Sequence, residues 1–266
     1  MVRAATGPPG AGAGSSYDDT GRTTRAEVGV ATGRVAEILS AAWAASPDGS
    51  ALPAGLVHGC ARALPVTGVG LALMTDGGPA GTVAATDGPA LVLEELQYTL
   101  GEGPCVDASR SGRPVLQPDL AATAPRRWPA FAGGALAAGV AAVFAFPLRV
   151  GAIRVGVLDL YRATSGTLTP DQLREALSFA DAATLLLLYL QTRTVSDGFA
   201  PEGLAVLDDR AEVHQATGVV SVQAGLSVAE AVVLLRARAY AEQRPVSDLA
   251  RDVLSGTADF RDGRAR

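Results

Sequence analysis

Two apolar runs separated by a very short break constrain this chain more than any other feature. Residues 142–150 (AVFAFPLRV) are apolar almost throughout, and Ile153 to Tyr161 alternates with a period of two. Both runs have strand length and strand composition. Arg149-Val150-Gly151-Ala152 is the turn between them, so the two form a hairpin. The surrounding sequence is mixed. Leu52 to Leu64 reads as a helix ended by Pro65, then Gly68 to Met74 and Thr82 to Ala85 as strands joined across Asp76-Gly77-Gly78. Leu91 to Leu100 is helical, and the segment from Gly101 to Leu120 is loop-rich. A further helix begins at Arg127-Trp128-Pro129 and runs to about Ala138. Behind the hairpin, Thr169 is an N-cap with Pro170 at the first helical position. The long helix it opens carries Leu173, Leu177, Ala180, Thr184, Leu187 and Gln191 along one face.

Residues 1–24 are rich in Gly, Ala, Pro, Ser and Thr and read as a disordered arm. Arg25 to Ala45 looks helical, and Ser46 to Ser50 breaks it. Residues 196–203 read as a linker. From Leu204 the pattern is helical only. Val206, Val213 and Val220 share one face as far as Ala224, and Gly225 is a C-cap. Ser227-Val-Ala-Glu230 is a capping box opening a second helix, with Val228, Ala231, Val232, Leu235 and Ala239 as its apolar stripe. Pro245 to Leu254 is a third helix stopped by Gly256, and residues 257–266 form a tail. The expected architecture is α+β: an antiparallel sheet with flanking helices over 25–195, then an all-α three-helix bundle over 204–256. So small a bundle is marginal alone and gains from packing against the long helix or a second chain.

Charge narrows the partners. The chain of 266 residues carries a net charge of -5, and every basic side chain other than histidine is arginine. From Val206 onward eight arginines face nine carboxylates, a net of -1. A large non-specific nucleic-acid surface is therefore not expected, and DNA is not an expected partner. Cys60 and Cys105 are too few for a disulfide framework or a metal cluster, which fits a reduced, cytoplasmic setting. The N-terminal stretch lacks the apolar core of a signal peptide, and the apolar run Ala182 to Leu190 is too short to span a membrane. His58 and His214 are the only histidines; no metal site follows from them, and His58 is a weak candidate for a haem axial ligand. There is no Walker loop, Ser-His-Asp signal or H-E-x-x-H motif, so the chain does not read as an enzyme and no cofactor is expected.

The stretches Leu100-Gly-Glu-Gly-Pro-Cys105, Val115 to Leu120, and Phe146-Pro147-Leu148 through Gly156-Val-Leu-Asp-Leu-Tyr161 resemble GAF domains, regulatory α/β sensors. The resemblance covers about Leu52 to Arg193. It implies a site for an unidentified small molecule between the sheet and the irregular segment, with Gly103, Cys105 and Trp128 in its lining. The alternative is a region packed shut that serves dimerisation. Cys105, in a Gly/Pro loop, is also the residue on which a thiol-dependent GAF reductase would depend.

In the C-terminal module, Arg236, Tyr240 and Arg244 are spaced four apart, on a face distinct from the apolar stripe. An aromatic ring between two guanidiniums can stack on an unpaired base and hold phosphates; a solvated helix face is the plainer reading. Glu212-Val-His-Gln-Ala216-Thr217-Gly218-Val, Ala229-Glu-Ala231, Leu235-Arg236 and Asp248-Leu-Ala250-Arg-Asp-Val253 resemble the ANTAR domain. That resemblance implies binding to RNA hairpins at terminators, in favour of an antiterminator structure. The residues it points to are Arg236, Arg238, Tyr240, Arg244 and Arg251, with Ala216 and Gly218 as a close-approach surface. Thr217 stands where the family commonly has a basic residue, which removes one phosphate contact. The combined expectation is a homodimeric, signal-responsive antiterminator. Its rivals are a sensor whose last helices only dimerise or dock a protein, and the thiol reductase.

Overall fold

The computed structural model describes residues 20–47, 49–75, 78–86, 88–197 and 206–261. The expected arm up to residue 19, most of the expected linker and the end of the tail lie outside these residues. A helix, α1 (Thr20–Ala45), is followed by α2 (Leu52–Ala63), β1 (Gly68–Thr75), β2 (Gly78–Ala85), α3 (Gly88–Leu100) and α4 (Pro104–Ser111). Next come β3 (Val115–Gln117), α5 (Leu120–Arg127), α6 (Pro129–Ala137), β4 (Ala142–Val150), β5 (Ile153–Arg162) and α7 (Pro170–Asp197). Three helices close the chain: α8 (Val206–Ala224), α9 (Val228–Ala241) and α10 (Val246–Leu254).

The five strands form one antiparallel sheet in the order β2-β1-β5-β4-β3. The expected hairpin is β4–β5, paired from Ala142↔Arg162 to Val150↔Ile153. Its near-continuous hydrophobicity has a direct cause: both faces of the sheet are covered. Phe144, Phe146, Leu158 and Leu160 point to a layer made by α1, α2 and α7. Val143, Ala145, Val157 and Tyr161 point the other way, onto α3, α4 and α6.

Several boundaries shift. Helix α1 starts at Thr20, inside the expected arm, and α7 runs to Asp197, inside the expected linker. The segment expected to be loop-rich contains α4 and β3, and α5 begins at its last residue. Helix α4 begins with Pro104 at its first position and ends on left-handed Gly112, so its punctuation looks like a loop's. The Thr169 cap is present and reciprocal: the Gln172 amide donates to Thr169 Oγ1 (3.3 Å), and the Thr169 amide donates to Gln172 Oε1 (3.0 Å). The expected face of α7 is buried only in part: Ala180 and Leu187 are buried, but Leu177 is 42% exposed and Gln191 is exposed, while Ala176, Phe179, Ala183 and Leu190 are buried beside it. Two layers, the sheet and α1 with α2, set which side of α7 is covered.

Candidate nucleic-acid interface and sensor core

The C-terminal helices pack around Val213, Ala216, Val220, Ala231, Leu235, Ala239, Leu249 and Val253, and Phe260 closes one side. The Ser227–Glu230 capping box forms as expected, with the Ser227 amide donating to Glu230 Oε2 at 2.9 Å. This frame places the expected RNA residues very differently from one another.

Ala216 is fully buried and Thr217 is 2% exposed, its hydroxyl donating to the Val213 carbonyl at 2.7 Å. Neither offers a surface, which corrects the expectation for both. Helix α8 packs against α10 and also against β2, so more of its circumference is covered than in a free bundle. Gly218 is exposed, with open space around it. Helix α9 ends at Ala241 and Gln243 takes a positive φ of 51°, so Arg244 does not continue the face of Arg236 and Tyr240. Arg244 turns to Asp252 instead, at 2.7 Å. Arg238 bonds Glu242 (2.7 Å) and the Asp259 carbonyl (2.8 Å) and lies over the Phe260 ring. Arg251 bonds Asp248 at 2.6 Å and faces Glu212 at 3.4 Å. Three of the five candidate side chains thus have partners within the module. Tyr240 is 49% exposed.

The expected small-molecule site is packed. Gly103, Cys105 and Trp128 are all buried, in a layer shared with Leu93, Val106 and Phe131. Trp128 Nε1 donates to Asp107 Oδ2 (3.1 Å), and Arg127 bonds the same carboxylate while lying 4.5 Å from the Trp128 ring centroid. Cys105 is not the accessible loop thiol that was expected. Its amide donates to Gln97 Oε1 at 2.9 Å, and burial, with Asp159 and Glu94 adding to it, pushes the thiol well above the ordinary cysteine range. Cys60 is buried on the opposite face of the sheet, and burial raises its thiol too. His58 is exposed, with Nδ1 2.8 Å from the Ala54 carbonyl. Among the described residues no group of three or more His, Cys, Asp and Glu is arranged to hold a metal.

Sequence reasoning missed the polar cluster at the centre of this layer. Glu94 and Gln97 on α3 meet Asp159 and Tyr161 on β5, all four buried. The Tyr161 hydroxyl donates to Glu94 Oε1, Gln97 Nε2 donates to Asp159 Oδ2 (3.3 Å), and Asp159 Oδ1 is buried without a hydrogen-bond partner. Burial pushes the Glu94 carboxyl up to about 7 against the bond from Tyr161. Burial and then repulsion from Glu94 push Asp159 well above the carboxylate range. The visible signal was Asp159 itself, an acid inside the apolar run of β5.

The GAF domain family model matches residues 18–187. The chain belongs to the GAF family. An ANTAR domain model matches residues 205–254, so the three-helix module is an ANTAR domain. Among solved structures, the chain is similar to the GAF domain of an Acinetobacter phosphoenolpyruvate-protein phosphotransferase. The identity is 11% and the TM-score 0.46, over 61% of this chain and 96% of that one. The corresponding Coxiella burnetii domain gives 14% and 0.46, over 62% and 96%. A type II free methionine-R-sulfoxide reductase from Thermoplasma acidophilum gives 16% and 0.37, over 48% and 84%. A search of the curated proteins finds no match to this chain.

The ANTAR domain docks directly on the GAF domain. Helix α8 lies on the edge strand β2, and α9 lies on α3. Tyr98 of α3 packs against the ANTAR core. A cleft of about 360 Å³ remains between β2, α3 and Ser247 of α10. Arg236 of α9 points into this junction. A Cβ on Gly101 would stand 2.6 Å from its Nη1, and its Nε is buried without a partner. Burial pulls the guanidinium below the usual arginine range, Tyr98 opposes that and Arg110 adds to it. Arg236 therefore meets the GAF domain, whereas Tyr240, one turn further along α9, is half exposed. Among the described residues no single helix is long and apolar enough to cross a membrane.

Proposed function

We propose that this chain is a signal-responsive RNA-binding antiterminator of the cytoplasm, whose GAF domain controls access of the ANTAR domain to terminator and antiterminator hairpins in nascent transcripts. A GAF domain joined to an ANTAR domain is a regulator of antitermination type. The observation that carries the finer reading is the two-sided helix α3. One side holds Glu94 and Gln97 in the GAF core, and Tyr98 on the other supports the ANTAR domain that seats Arg236. A change in the sensor core reaches a candidate RNA residue through a single rigid element. The docked arrangement withholds Arg236 from RNA, so RNA binding requires the junction to open.

Removing the Tyr98 ring tests this. Tyr98→Ala is expected to tighten binding of a two-hairpin terminator RNA about tenfold, a coupling of ~1.4 kcal/mol. Gel-shift titration of the full chain measures it. If neither the wild type nor Tyr98→Ala binds any two-hairpin RNA, the proposal fails. A small molecule acting on the GAF domain belongs to the proposal, as does a homodimer formed through α1 and α7. Trp43 on α1 and Leu177 and Leu185 on α7 are large apolar side chains left exposed. Sedimentation of the full chain decides between dimer and monomer.

One observation favours a second reading, in which the last helices dock a protein. Arg238, Arg244 and Arg251 already face carboxylates of their own module. That reading expects RNA affinity and antitermination to be indifferent to Arg236→Ala combined with Tyr240→Ala. The thiol-reductase reading has lost its motive: Cys105 and Cys60 are buried on opposite faces of the sheet, so neither resolves an oxidised form of the other.

A further inference from the structure

The arginines of the chain are not evenly spread. From Pro104 to Arg154 there are six arginines and only two carboxylates, Asp107 and Asp119, so this stretch carries +4 in a chain of net charge -5. The fold gathers most of that charge on one ridge of the GAF domain. Arg110 lies on the last turn of α4, and Arg113 directly follows the left-handed turn at Gly112. Arg149 of β4 reaches across to the same turn. Its Nη1 donates to the Gly112 carbonyl at 3.4 Å, and a side chain at Gly112 would overlap its guanidinium. Arg154 is the partner of Arg149 across the β4–β5 ladder. On α4 itself, Arg127 of α5 bonds Asp107, one turn before Arg110, and stays half exposed. Arg110, Arg113 and Arg149 are exposed, and among the described residues none of the three has an ion pair.

The end of α4 attracts a cation to its last carbonyls, which accounts for one guanidinium there. It does not account for several, two of them directly opposite each other in a ladder, where like charges repel. A polyanion lying along the ridge removes that cost. We propose that this ridge is a phosphate-binding face for RNA, supplied by the GAF domain; it rests on the RNA-binding reading given above. Planar guanidinium forks match phosphate oxygens, and a row of exposed cations holds a backbone without reading its sequence. The face is continuous with the ANTAR domain, because Gly101, in the turn leading into α4, packs against Arg236 of α9. It also supplies what the ANTAR domain lacks. There Arg238, Arg244 and Arg251 face carboxylates of their own module, and eight arginines from Val206 onward meet nine acidic side chains. The GAF ridge then provides the electrostatic hold, and the ANTAR helices provide the recognition. The ridge is exposed while the two domains are docked, so it captures RNA before the junction opens.

Gel-shift titration of the full chain with a two-hairpin terminator RNA, from about 50 to about 200 mM salt, tests the ridge. Arg110→Gln combined with Arg113→Gln is expected to weaken binding at least about tenfold and to make the slope of log affinity against log salt shallower by about 1.5. Arg62→Gln combined with Arg174→Gln removes the same charge from α2 and α7, on the other side of the sheet, and is expected to leave that slope unchanged. Urea midpoints show that both double variants are folded, and Arg149→Gln gives an independent measure of the same face. A slope equal to that of the wild type in the Arg110, Arg113 variant overturns the ridge and leaves the RNA-binding reading standing. A wild type that binds no RNA overturns both. Vesicles of phosphatidylcholine and phosphatidylserine form the last arm, because Val150 and Ile153 are exposed at the hairpin tip beside Arg149 and Arg154. Vesicle binding that the Arg110, Arg113 variant loses, with RNA binding unaffected, assigns the ridge to a membrane surface and overturns the proposal.

Discussion

Replacing Gly156 by alanine is expected to destabilise the GAF domain by about 3 kcal/mol, the upper end for overpacking a well-filled core. Gly156 lies in the central strand β5, paired with Leu73 of β1 on one side and Leu148 of β4 on the other. A Cβ there would stand 2.4 Å from the backbone oxygen of Ala72 and 2.9 Å from Leu187 Cδ1. A side chain such as Leu187 can rotate away, but a strand carbonyl cannot. Relief requires β1 to part from β5, which also disturbs the seat of α7 over the sheet. Gly133 is the matched control. It lies within α6, is exposed, and has open space where a Cβ would go. Gly133→Ala should therefore gain up to about 1 kcal/mol from helix propensity alone. Urea unfolding of both variants measures the contrast. A Gly156→Ala protein within 1 kcal/mol of the wild type would show that the strands yield more readily than the geometry implies.

The elements legible in the sequence are those whose signal is local. The β4–β5 hairpin followed from two strand-like runs and a two-residue break, and the Ser227–Glu230 cap from its spacing. Both depend on residues a few positions apart. What was not legible depends on packing between distant elements. Thr217 stands at a position expected to face RNA, yet it is buried on α8, a helix covered by both α10 and β2. Arg236 and Tyr240 are one turn apart on α9, yet one meets the GAF domain and the other meets water. Arg244 shared their spacing, but α9 stops first. Cys105 shows the same limit in the sensor domain. Its Gly/Pro setting suggested a loop, while the helix it opens lies against the sheet with the thiol inside. Glu94 carried no sequence signal at all, because its partners Asp159 and Tyr161 are more than sixty residues away.

Raising the pH from about 4.5 to about 7 is expected to cost the protein stability, and Glu94→Gln should remove much of that loss. The folded chain holds the Glu94 carboxyl at about 7 against an ordinary value of 4.5, because burial disfavours its charged form. Between these values the folded state keeps a proton that the unfolded chain has already released. Stability from this group is fully present below about pH 4.5 and is lost as pH rises through about 7. The interval corresponds to about 3 kcal/mol. Asp159 is shifted in the same direction, so it continues the loss above that range. The groups facing Glu94 are Tyr161, Asp159, Gln97 and the backbone of Gly70, and none is cationic. Ionisation therefore goes uncompensated. Glutamine cannot ionise and can still accept the bond from Tyr161, so it separates charge from shape. Urea midpoints at pH 5 and pH 8, at one ionic strength, give the slope. An equally steep slope in Glu94→Gln and in Asp159→Asn would place its origin outside this cluster. If the slope does belong to Glu94, the strain falls on α3, which also carries Tyr98 into the ANTAR core. Docking of the two domains should then loosen over the same pH interval in the wild type and stay constant in Glu94→Gln.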